Sequence, residues 1–184
     1  VIYCDNIIID NAEFENAPAD AIDVDISTNV RITNSKFINS NNDGIDFMES
    51  EALVDSSIIS GSKDKGLSIG ESSNVLIYNT LLEKNNIALA VKDKSKAKVL
   101  HVNFKDNKTQ LSAYKKNWQY GGGGSAHIYR SYFLAEKNLL EVSKESDVEI
   151  NDTSIVGPKL IQGENIKLND IDFFDLSNKR KKEI

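Results

Sequence analysis

Four aspartates recur at one spacing with a fifth beside them, and carboxylates so placed can hold a cation or share a proton. Asp20 and Asp23 are matched 23 residues later by Asp43 and Asp46, and Asp25 follows two residues after Asp23. Set on neighbouring strands about 4.8 Å apart, such carboxylates disfavour each other's ionisation, which raises a pKa or recruits a divalent ion. Asp23, Asp25, Asp43 and Asp46 then form a candidate calcium site, or two of them act as acid and base. The plain alternative is a row of exposed acids that keeps the chain soluble and stops lateral strand pairing.

A second group lies farther along: Lys92, Tyr114, Lys115, Trp118 and Tyr120. Aromatic rings beside charged and amide groups hold sugars by stacking on the apolar ring face while polar neighbours take the hydroxyls. Trp118 and Tyr120 are the candidate platforms and Lys115 a polar contact. A Trp118 that folds back over open hydrophobic surface accounts for the same residues. With a uronate as ligand, Lys92 or Tyr114, with Asp46, could remove the proton next to the carboxylate while a cation steadies the developing charge. His101 and His127 fall outside both groups and read as structural or solvated. The sequence carries no Ser, His and Asp set and no zinc spacing, and Gly121 to Gly124 lacks the Lys-Ser/Thr of a phosphate loop.

An imperfect repeat must position these residues. Val30 to Phe37, Ala52 to Ile59 and Val75 to Leu82 align column by column, each followed by a second apolar pair: Ile45 and Phe47, Leu67 and Ile69, Leu89 and Val91. One column, Phe14, Phe37, Ile59, Leu82, Phe104, Phe133, Ile155 and Phe173, has spacings of 23, 22, 23, 22, 29, 22 and 18. Inward pairs broken by Asn, Ser, Asp and Gly favour short strands and bends over helices. Parallel crossovers are right-handed. The expected fold is therefore all-β, a right-handed parallel β-helix of about eight coils within one domain over 1–177. Asn11, Asn34, Ser56 and Asn79 form a further column, read as a ladder of stacked amides. The 29-residue spacing marks an inserted loop over 115–124, the kind of insertion that often supplies a binding surface. Residues 178–184, with Lys179 to Lys182, read as a basic disordered tail.

The formal charge of −6 and pI near 5.0 argue against a nucleic-acid partner. Cys4 is the single cysteine and fixes no redox compartment. No run approaches the length of a transmembrane helix, and the first residues are not those of a signal peptide. They read as mid-strand, which suggests a fragment, or a solenoid end covered by another domain or subunit.

Taken together the coils resemble the right-handed parallel β-helix superfamily of pectate lyases, polygalacturonases, alginate epimerases and NosD-type proteins. Asp43-Gly44-Ile45-Asp46, the run from Asp64 to Glu71, the run from Ile87 to Asp93, and Tyr120-Gly121 look like segments of bacterial β-helix proteins, some linked to CotH-like domains. The resemblance implies an extracellular or envelope module facing polysaccharide. Its enzyme branches carry Asn-Thr-Asp with Gly-His-Gly, or Asp-Pro-His, or a calcium site with an Arg base. This sequence has none of these sets, and Arg31, Arg130 and Arg180 fall outside the acidic group. Polysaccharide binding or scaffolding leads, with a uronate lyase or C5-epimerase as one alternative and a structural spacer as the other.

Overall fold

The computed structural model describes residues 1–174, so the tail expected over 178–184 lies outside the described residues, as does the end of the expected domain. Three short strands make each coil. The first coil is β1 (Ile8–Asp10), β2 (Glu13–Glu15) and β3 (Ile22–Asp25), and the second β4 (Val30–Thr33), β5 (Lys36–Ile38) and β6 (Ile45–Met48). The third is β7 (Glu51–Asp55), β8 (Ile58–Ser60) and β9 (Lys65–Gly70), and the fourth β10 (Asn74–Tyr78), β11 (Leu81–Glu83) and β12 (Ile87–Lys92). Then come β13 (Lys96–Leu100), β14 (Asn103–Lys105) and β15 (Thr109–Tyr114), followed by β16 (Ser125–Tyr129), β17 (Tyr132–Leu134) and β18 (Asn138–Val142). The seventh coil merges its first two strands in β19 (Asp147–Val156) before β20 (Ile161–Gly163), and β21 (Ile166–Phe174) opens the eighth.

Each strand pairs in parallel with its counterparts on the adjoining coils, which gives three faces. β1, β4, β7, β10, β13 and β16 run into β19 on the first face; β2, β5, β8, β11, β14 and β17 run into β19 on the second; β3, β6, β9, β12, β15, β18 and β20 form the third. The architecture is the expected right-handed solenoid of about eight coils. The column from Phe14 to Phe173 is reproduced pair by pair. Strand residues alternate between faces, so the inward ones fill the centre: Phe37, Phe47, Ile59, Leu82, Phe104 and Phe133 are all fully buried.

The corner between the first two faces corrects the reading of the asparagine column. Asn11, Asn34, Ser56, Asn79, His101, Arg130, Asp152 and Asp170 all sit in the left-handed region, with φ between 45° and 54°. Asn adopts that conformation more readily than most non-glycine residues. The backbone conformation is what the column shares, and the side-chain contacts along it are local, such as Asn34 Nδ2 donating to Asp10 and Asn79 Nδ2 to Ser56 Oγ. The ladder that satisfies buried backbone is the next column inward. Ser35, Ser57, Thr80, Ser131 and Thr153 each donate to the carbonyl two residues back and accept an N–H from the preceding coil.

Candidate binding site

The third face positions most of the residues singled out by chemistry. Its register places Asp23, Asp46, Ser68, Ala90 and Ser112 in one outward column and Asp25, Met48, Gly70, Lys92 and Tyr114 in the next. Lys92, Tyr114 and Asp46 thus share one surface. The Lys92 side chain lies back across Gly70, where an added Cβ would stand 2.4 Å from its Cε. Its Nζ stops 3.8 Å from Asp46 Oδ1, two coils away, and the side chain is 4% exposed. A glycine at position 70 is therefore what lets the lysine lie flat.

Beside this pair, Lys65 Nζ is held between Asp64 and Asp43, the latter at 3.3 Å. Asp43 is buried, and the same carboxylate oxygen accepts the Lys65 backbone N–H at 2.9 Å. Burial pushes the Asp43 carboxyl above its usual range, and the Lys65 charge offsets only part of that. Burial would lower Lys65, but its hydrogen bond to Asp64 and the charges of Asp43 and Asp64 prevail and hold the ammonium above its ordinary value. Burial likewise raises Tyr114, against the pull of Lys65, and raises Glu71, against that of Lys92.

The inserted loop folds as a strap over the corner that follows these strands. Asp93, fully buried, accepts the backbone N–H groups of Lys116 and Asn117 at 2.7 Å each. Lys94 N donates to Gly123 O at 2.8 Å, and Lys115 pairs with Glu145 at 3.1 Å. Gly124 makes the fit possible: a Cβ there would lie 2.0 Å from Val91 O. A single turn of 3₁₀ helix, Trp118–Tyr120, is capped by Asn117 and points Tyr120 back to Glu49, whose Oε1 accepts its hydroxyl at 2.5 Å. Trp118 stands 80% exposed on this turn, so it covers no hydrophobic opening.

That hydrogen bond to Glu49 pushes the Tyr120 phenol up to about 12, against about 10 for a free tyrosine. Since the folded value is the raised one, the contact contributes stability below about pH 10 and is lost as pH rises through the folded value. An ultraviolet difference titration of Glu49→Ala is expected to shift one tyrosine's ionisation downward, with Tyr120→Phe removing that step. Identical curves for wild type and Glu49→Ala would rule out the latch.

The structure thus brings together Lys92, Tyr114 and Asp46, and holds Trp118 and Tyr120 on the strap beside them, while Lys115 turns to Glu145. It does not gather the four aspartates proposed for calcium. Asp43 is taken up by Lys65 and Asp46 faces Lys92, while Asp23 and Asp25 pair with neither lysine, burial and the Asp25 charge raising Asp23. Among the described residues no three or more His, Cys, Asp or Glu side chains are placed to hold a metal. The residues missed are Glu49, Glu71 and Asp93, three corner acids at a spacing of 22 residues whose φ values lie between 47° and 55°. Their shared spacing was the available signal. On this face and its corner, Asp46 Oδ1, Ser68 Oγ and Asp93 Oδ2 are buried with no protein hydrogen-bond partner among the described residues.

Comparison with known proteins adds a family. The family model described as "Right handed beta helix region" matches residues 1–155. No curated protein matches the chain.

Proposed function

Because the chain belongs to the right-handed β-helix family, we propose that this β-helix module holds a saccharide chain along its third face, outside the cell or in the envelope. The observation that carries the reading is Trp118, an indole 80% exposed on a turn that two backbone hydrogen bonds to Asp93 and one from Tyr120 to Glu49 fix in place. An exposed ring costs little to stack on a sugar when its backbone is already ordered. Tyr120 and the charged groups around Lys92 supply the polar side of the contact.

A uronate lyase or epimerase would draw on the same convergence of Lys92, Tyr114 and Asp46. A base needs a free lone pair and reach to its proton, whereas Lys92 faces Asp46 and is 4% exposed with the strap in place. The geometry therefore favours holding a chain over turning it over.

Trp118 is the single tryptophan, so its fluorescence reports on the contact directly. Acidic or neutral oligosaccharide is expected to change that emission, and Trp118→Ala to weaken binding about tenfold, as loss of about 1.4 kcal/mol of stacking would, with the melting temperature unchanged. Emission and affinity indifferent to every glycan would leave the structural spacer as the reading.

A further inference from the structure

The first face carries a groove that the reading above does not use. On β13 and β16 it is lined by Lys96, Lys98, Ser125, His127 and Tyr129, with Asn74 of β10 at its edge, and its volume is about 280 Å³. That is near the lower end for ligand pockets, about 300–1,000 Å³. Among the described residues Lys96 and Lys98 have no carboxylate within ion-pair distance, although the chain is acidic overall. His127 alone is answered, by Asp147 at 3.7 Å.

Beside the cations runs an apolar column. The register aligns Tyr78, Leu100 and Tyr129 on successive coils, so the two phenol rings stand two coil steps apart, about 9.6 Å. Tyr78 is 41% exposed and stands perpendicular to His101, with ring centroids 5.7 Å apart. The positive stretch is short. Glu51 and Asp55 precede it and Asp147 and Glu149 follow it on the same outward columns. A phosphate backbone would need cations over several coils. One or two fixed anions next to flat rings fit this place better.

We propose that this groove is a second binding site, for a short saccharide carrying carboxylate or sulfate groups, with Lys96 and Lys98 taking the anion and Tyr129 and Tyr78 taking ring faces. It lies on a different sheet from the strap, so it stands or falls apart from the reading above. The test uses Trp118→Ala, which removes the strap's ring, titrated by calorimetry with an oligogalacturonate, a sulfated galactan oligomer and a neutral galactan oligomer. The expected result is binding of the two charged probes, the neutral one at least tenfold weaker, and loss of at least tenfold on adding Lys96→Ala and Lys98→Ala. Both lysines are exposed, so the melting temperature should not move. A preference for one charged probe identifies the anion as carboxylate or sulfate. Unchanged affinity in the lysine variant overturns the proposal. So does equal binding of single-stranded DNA or poly-glutamate, or a lysine-dependent dimer in sedimentation without saccharide binding.

Discussion

Replacing Phe104 with alanine is expected to lower the stability of the solenoid by about 3–5 kcal/mol, the range for deleting a fully buried aromatic ring. Phe104 is fully buried and lies flat on Phe133 of the next coil, with centroids 4.3 Å apart and planes 12° from parallel. Its other neighbour in the column is Leu82. The void would open inside a stack whose strands are fixed by ladders above and below, so there is little freedom to collapse into it. In a repeat architecture each coil is supported by its neighbours, and a weakened central coil divides the chain into two shorter stacks. Urea unfolding should therefore show a lower midpoint and a broadened transition. Phe104→Leu, which keeps most of the volume, should cost under about 1.5 kcal/mol. Phe14→Ala gives an internal comparison, because Phe14 stacks on Phe37 at 5.2 Å but is only partly buried. A Phe104→Ala loss no larger than that of Phe14→Ala would mean that the column is not the continuous core described.

That column was legible in the sequence because a parallel solenoid allows one register per coil, and a slip of one residue would turn every Phe and Ile to solvent. The corner was less legible. A column of Asn fits a ladder of amides and a left-handed bend equally well, and the readings are separated by its non-amide members, His101 and Arg130 most clearly. Neither can continue an amide stack, yet both keep φ near 50°. The site divides in the same way. Lys92, Tyr114 and Asp46 follow from alternation along a strand, whereas Glu49, Glu71 and Asp93 lie one residue past the strand, where alternation has stopped. The extra residues of the strap could be counted in advance. That the strap lies back over earlier coils depends on Asp93 accepting its N–H groups and on glycine at position 124, contacts between residues whose pairing no periodicity encodes.

The largest polar effect is expected at Asp43. Its carboxylate is the buried partner of a buried lysine, and it also takes the Lys65 backbone N–H, while its own N–H donates to Asp20 Oδ1 at 2.7 Å. Asp43→Ala leaves Lys65 with Asp64 alone and strands a backbone donor, for a loss of about 3–5 kcal/mol. Asp43→Asn should cost less, since an amide oxygen can still accept that N–H. If the loss comes from the stranded charge, then Asp43→Ala/Lys65→Met should recover much of it, because a buried ion pair has a net value near that of an apolar pair of similar volume. The pH dependence separates the partners. The Asp43 carboxyl is raised in the folded state, so its contribution is most favourable below the unfolded value of about 3.9 and is lost as pH rises through the folded value. The Lys65 ammonium is raised too, so its contribution is full below about pH 10.4 and is lost only as pH rises through its folded value. Denaturation of Asp43→Ala, Lys65→Met and the double variant at about pH 3, about pH 7 and above about pH 11 would resolve both. An Asp43→Ala loss below about 1 kcal/mol, or a double variant no more stable than Asp43→Ala, would show that the network around Lys65 is held by the backbone ladder and not by its charges.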